Sequence, residues 1–116
     1  MNSDSLEKQW SAYLTAYGPV AAEERERLLK LSVCDDVVFT NPGGEGRTRA
    51  GLIAHIEGFQ TKMPRFYFTG DKLFLRHGEF LAIWSMYTGD GVKAATGYNY
   101  VRLDTEGRIS YLAGFF

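Results

Sequence analysis

The sequence predicts an α+β domain, with three helices first and a meander of antiparallel strands after them. Three observations carry that prediction. Apolar residues in the first half recur with the 3.6-residue period of a helix. From Arg65 onward the period is two. Tight-turn pairs separate the period-two runs, as hairpin-linked antiparallel strands require.

Leu6, Trp10, Tyr13, Leu14 and Tyr17 form one helical stripe, which Gly18-Pro19 ends. A second helix is expected over 22–31. Glu23 and Glu24 suit its positive N-terminal end, and Leu28, Leu29 and Leu31 supply its apolar side. Asp35-Asp36 reads as a turn, 37–40 as a short strand, and Asn41-Pro42-Gly43-Gly44 as its stop. The Gly-rich stretch 43–47 reads as a loop. It lacks the Gly-Lys-Ser/Thr ending of a phosphate loop. Arg47 and Arg49 beside it would pair with Glu45 or with an acidic ligand group. Thr48 is the expected N-cap of a third helix. That helix carries Leu52, Ile56, Phe59 and Met63 on one stripe, with His55 at its edge, and Pro64 stops it. Strands follow over 65–76, with a bend at Gly70, then 79–88, 92–103 and 108–116.

Alternation splits these strands into two rows. Phe80, Ala82, Trp84 and Met86 continue as Gly97, Asn99 and Val101, then Ser110, Leu112, Gly114 and Phe116. Leu81, Ile83, Ser85 and Tyr87 continue as Tyr98, Tyr100 and Arg102, then Ile109, Tyr111, Ala113 and Phe115. Both rows are mostly apolar or aromatic, whereas a sheet with one wet face alternates cleanly. The first row is expected to meet the helices. The second needs another cover, and a second copy of the chain is the simplest one. A homodimer through Ile83, Tyr87, Tyr98, Tyr100, Tyr111 and Phe115 is therefore expected.

The chain has 116 residues, 45% of them hydrophobic and 23% charged, which fits one globular domain over 1–116. Thirteen basic residues against fourteen acidic ones leave a charge of −1, so no basic surplus drives nucleic-acid binding. Residues 1–9 are polar, without the apolar core of a signal peptide. No apolar run approaches the ~18 residues of a membrane span. A cytoplasmic protein with no membrane or nucleic-acid partner is expected. The lone Cys34 excludes an internal disulfide, and His55 and His77 lack metal-ligand spacing, so no metal or cofactor is expected. The outlying figure is 15% aromatics: two Trp, seven Tyr and eight Phe. So many rings imply a large core, a ring-lined cavity or a subunit interface.

The run Asp35-Asp36-Val37-Val38-Phe39-Thr40-Asn41-Pro42-Gly43-Gly44 is followed by Gly46-Arg47-Thr48-Arg49-Ala50-Gly51-Leu52-Ile53-Ala54-His55-Ile56. Later come His77-Gly78, Leu81-Ala82-Ile83-Trp84-Ser85-Met86, Gly97-Tyr98-Asn99-Tyr100-Val101-Arg102-Leu103-Asp104 and Gly107-Arg108-Ile109. In these phrases and their order the chain resembles the SnoaL-like family of the nuclear transport factor 2-like superfamily. The resemblance covers nearly the whole chain. It implies a strongly bent, mostly antiparallel sheet that helices close into a cone with an internal pocket. Function is less well specified, because one fold carries many chemistries.

Set against the ketosteroid-isomerase-type relatives, the resemblance puts Asn41 where they carry an aspartate general base. It puts Asn99 near their second acidic residue. Tyr13, with Tyr17 as second choice, falls near their oxyanion-hole tyrosine. An amide takes no proton at neutral pH, so Asn41 removes the usual base while Asn99 and Tyr13 remain donors. Asn41 also fits an Asx turn before Pro42, and His55 also fits a hydrogen-bonded structural role.

Trp10, Trp84, Met86 and Phe116 are expected to line an apolar pocket together with Tyr17, His55, Phe59 and Leu112. The expected function is binding of a small hydrophobic molecule that bears a carbonyl or hydroxyl. Any catalysis would be isomerisation, dehydration or cyclisation. The alternative is a non-catalytic dimerisation or accessory module of the same fold, with the cone filled by its own side chains.

Overall fold

Helix α1 (Ser3–Ala16) carries the expected stripe: Leu6, Trp10, Tyr13 and Leu14 are all buried. The structure, a computed structural model, describes residues 3–116, with side chains from Ser5 on; Met1 and Asn2, the start of the polar 1–9 stretch, lie outside the described residues. Among the described residues no helix is long and apolar enough to cross a membrane.

Helix α2 (Ala22–Ser32) follows one turn later. Its Arg25 is buried, and its guanidinium donates to the carbonyls of Ala16 and Gly18 at 2.9 Å and of Val20 at 3.3 Å. These bonds cap the open Ala16 carbonyl at the end of α1, tie Arg25 to the link that follows it, and fix the α1–α2 corner.

Strand β1 (Val33–Asn41) is longer than the sequence predicts. Asp35-Asp36 does not break it. The register to the neighbouring strand shifts between Val33 and Val38, and the two aspartates stand exposed on that irregularity. Turn-forming residues thus occupy a bulge. Arg49 holds the bulge from the far side, donating to the Val33 carbonyl at 3.0 Å and pairing with Asp35 at 3.5 Å. Stretch 43–47 is also not simply a loop. Gly44–Arg47 forms β2, a short edge strand antiparallel to β1. Gly46 pairs with Phe39, and a Cβ on Gly46 would lie 2.6 Å from the Phe39 ring, so glycine is what lets the ring lie flat there.

Helix α3 (Arg49–Lys62) starts at Thr48, whose hydroxyl accepts from the Gly51 N–H at 3.0 Å as the expected N-cap. The meander follows as β3 (Tyr67–Arg76), β4 (Glu79–Tyr87), β5 (Lys93–Leu103) and β6 (Ile109–Phe115). The expected bend in β3 is a register shift between Gly70 and Lys72. The sheet has six strands in the order β2-β1-β6-β5-β4-β3, antiparallel throughout except that β1 runs parallel to β6.

The expected inner row holds through β4 and β5: Phe80, Ala82, Trp84, Asn99 and Val101 are buried. On β6 one correction is needed. Arg102 pairs with Tyr111 and Leu103 with Ile109, so Ser110 is the extra residue of a bulge. Ile109 therefore joins the core, where it is fully buried, and Ser110 leaves the row assigned to it. The three helices and this bent sheet form the α+β cone that the sequence predicts.

Candidate functional site

A cavity of about 400 Å³ opens between the helices and the inner face of the sheet. Its wall on the sheet side is Trp84 and Met86 from β4, Asn99 from β5, Leu112 and Gly114 from β6, and Phe39 to Asn41 from β1. Tyr13 and Leu14 of α1, Tyr17 just past its end, and His55, Phe59 and Lys62 of α3 close the other side. The rings pack edge to face in series. Tyr17 meets Phe68 at 5.2 Å and Phe59 at 5.4 Å, and Trp84 meets Phe68 at 5.3 Å and Phe116 at 5.4 Å.

Ten of the eleven residues singled out in the sequence line this cavity; Trp10 does not. It sits behind the wall, stacked on Tyr13 at 5.0 Å and edge-on to Phe80 at 5.4 Å. Its position on the stripe, one turn before Tyr13, directs it into the core beside Gly70. Its indole N–H is buried without a partner.

Asn99 is 8% exposed, and its Oδ1 accepts the Trp84 indole N–H at 2.7 Å. Only an oxygen can accept from that donor, so the bond fixes the amide's orientation. Nδ2 is left with no partner among the described residues and opens to the cavity. The indole lies over Gly97, its cross-strand neighbour, where any Cβ would overlap the ring.

Asn41 is fixed in the same manner. Its Oδ1 accepts the Gly43 N–H at 2.8 Å, which is the Asx turn that its place before Pro42 suggests. Its Nδ2 then points at His55 Nε2, 3.1 Å away. Nε2 must accept, so the neutral imidazole carries its proton on Nδ1. Burial, and then the Lys62 charge, hold the His55 pKa below its ordinary value, which agrees with that tautomer. Gly114 separates the two asparagines. A Cβ there would lie 3.3 Å from Asn41 Cβ and 3.7 Å from the Asn99 amide.

Burial raises the pKa of Tyr13 well above its ordinary value and raises that of Tyr17 too, so both stay protonated. Neither hydroxyl has a partner among the described residues. Gln60 holds Tyr17 in place by donating to its carbonyl at 3.0 Å.

Sequence reasoning missed Phe39, Phe68, Leu14, Met63 and Lys62 as lining residues. Phe68 had a usable signal, since it lies opposite Met86 on β4. The Asn41–His55 pair had none, because it joins a strand end to a helix across 14 residues of unrelated periodicity. No Asp or Glu side chain lines the cavity among the described residues.

Comparison with known proteins agrees with this architecture. The family model of the SnoaL-like domain matches residues 12–112. A candidate isomerase of the SnoaL-like family from Agrobacterium tumefaciens shares 26% identity and superposes with a TM-score of 0.88, over 97% of each chain. A candidate polyketide cyclase from Sinorhizobium meliloti is 13% identical, with a TM-score of 0.75, over 98% of this chain and 99% of its own. A candidate ketosteroid isomerase from Kribbella flavida is 16% identical, with a TM-score of 0.69, over 97% of this chain and 77% of its own. No protein of curated function matches the sequence. On the family match, and on a fold that agrees with it element by element, the chain belongs to the SnoaL-like family.

Proposed function

We propose that the cavity binds a small, mostly apolar molecule through an oxygen atom that accepts from Asn99 Nδ2. The observation that carries this reading is the Trp84–Asn99 bond, which leaves two N–H donors unpaired inside an apolar cavity. A carbonyl or hydroxyl oxygen on the ligand would take these donors in place of water. The Tyr13 hydroxyl is a second donor in the same cavity. Together they suit polarisation of a carbonyl, in line with the candidate isomerases and cyclase among the structural relatives. The reaction classes that fit are isomerisation, dehydration and cyclisation. In each, the lining would supply no carboxylate base, because Asn41 takes no proton and no Asp or Glu lines the cavity among the described residues. An open cavity of about 400 Å³ favours this reading over an accessory module with its cone filled.

Thermal-shift screening against steroids, terpenoids and aromatic polyketides tests the proposal, since a ligand of the folded state raises the melting midpoint. Hits are expected with the wild type and lost with Asn99→Leu. Hits that persist undiminished in Asn99→Leu would remove Asn99 as the anchor.

We also propose that two copies pair through the outer sheet face. Tyr98 is 45% exposed and Phe115, directly opposite it across the strands, 58%. Ile83 extends the same row, and Tyr100 and Tyr111 lie beyond it as diagonal neighbours, their rings 6.1 Å apart. An aromatic band of this kind is typical of an interface.

A further inference from the structure

The hydrogen-bonding groups left open around the cavity are rich in donors. Asn99 Oδ1 is occupied by Trp84, Asn41 Oδ1 by Gly43, and His55 Nε2 by Asn41. What remains open is Asn99 Nδ2, the Nδ1–H of His55 and the tyrosine hydroxyls, all able to donate. At the mouth stands Lys62, the one charged residue in the lining among the described residues. It is exposed and forms no ion pair among them, whereas Lys30 on α2 pairs with Glu26 at 3.3 Å and Arg25 with Glu57 at 3.8 Å. Nothing acidic in the lining offsets its charge, and apolar walls focus the field of a charge at their rim.

We infer that the ligand is a carboxylate with an apolar body, its charge paired with Lys62 at the mouth and its body among the rings inside. The inference rests on the binding reading above and narrows it. A neutral ligand needs only the inner donors. A carboxylate entering an apolar cavity loses hydration and is retained only when a cation meets it. Lys62 is that cation, and its charge reaches inward far enough to act on His55. In the last turn of α3, Lys62 also suits the negative end of the helix, and a role confined to the helix end is the outcome the test must separate.

The probes are naphthalene-2-carboxylate and biphenyl-4-carboxylate, each compared with its methyl ester by isothermal titration. The wild type is expected to bind each acid about fivefold more tightly than its ester. The margin shrinks as salt rises. In Lys62→Met the order reverses, because the acid still loses its hydration and gains no partner. Lys62→Arg restores the acid preference. Lys72→Met makes the same change in net charge on the outer face, where Lys72 lies over Phe74, and leaves the preference in place. Equal affinity for acid and ester in the wild type overturns the inference while the binding reading stands. An acid preference that survives Lys62→Met overturns it as well and leaves Lys62 to the helix end. Failure of both acid and ester to bind the wild type overturns the binding reading and the inference together.

Discussion

Trp84 and Asn99 share one face of β4 and β5, two residues out of direct opposition, and the indole N–H closes on the amide oxygen at 2.7 Å. Direct opposition belongs to Gly97, over which the ring lies. The bond therefore joins diagonal neighbours, within reach of a side chain as long as tryptophan. It makes one buried residue the rudder of another.

Trp84→Phe removes the donor and leaves Asn99 Oδ1 unsatisfied in a buried place. A loss of about 1–3 kcal/mol is expected, read by urea denaturation. A double-mutant cycle with Asn99→Ala should give a clear coupling energy between the two positions. Strict additivity would mean the bond does not form in solution.

Gly97→Ala tests the close approach itself. The added methyl overlaps the Trp84 ring, so the indole must leave its place against the sheet. Overpacking of this kind costs about 1–3 kcal/mol. Loss of ligand-induced thermal shifts should accompany it. An unchanged denaturation midpoint would contradict the packing described above.

His55 should titrate below 6.5, with its proton on Nδ1 when neutral, as read from long-range 15N spectra. The unfolded chain then binds protons more readily than the folded one. The stability contributed by neutral His55 is complete above the unfolded value. It is lost as pH falls through the lower folded one. Asn41→Asp places a carboxylate against Nε2 and should move the His55 midpoint upward. A midpoint that does not move would separate residue 41 from the imidazole.

The same Asn41→Asp variant supplies the carboxylate base that the lining lacks among the described residues. Any weak isomerisation of Δ5-ketones by the wild type should rise, by roughly 10²–10⁴-fold if the carboxylate is well placed. Absence of activity on several such ketones would count against the ketosteroid-isomerase analogy and leave binding as the role.

Tyr98→Glu should split the proposed dimer, because it puts two carboxylates into an aromatic band whose nearby cations, Arg102 and Lys72, already lie over the rings of Tyr100, Tyr111 and Phe74. Sedimentation of the wild type comes first. A monomer mass at tens of micromolar would end the proposal.

What was legible in the sequence was whatever repeats. The stripe of α1 and the alternation of β4 and β5 placed Tyr13, Trp84 and Asn99 on the face they occupy. What was not legible was set by tertiary contact. Asp35-Asp36 carries turn chemistry yet lies in a strand, because a bulge pinned by Arg49 accommodates it. Gly44–Arg47 has little strand propensity, and it pairs because Phe39 needs a flat neighbour. Trp10 shares the periodicity of Tyr13 and differs from it only in which neighbour lies beyond, Gly70 or open cavity. Lys62 carried no periodic signal at all.

The position of β6 also bears on how the protein is made. This strand is the last of the described elements along the chain, yet it lies between β1 and β5, in the interior of the sheet. Before residues 109–115 leave the ribosome, the nascent chain can hold only two unjoined pieces, the β1–β2 hairpin and the β3–β5 meander. Each piece shows an unpaired edge at the place where β6 will insert, the kind of edge that recruits other chains. Val101 and Phe39, paired on one side with Phe80 and Gly46, lack Leu112 on the other side until then. Biosynthesis of this fold therefore depends on shielding that gap until its central strand arrives, and a chain truncated before residue 109 should be recovered bound to chaperones or aggregated.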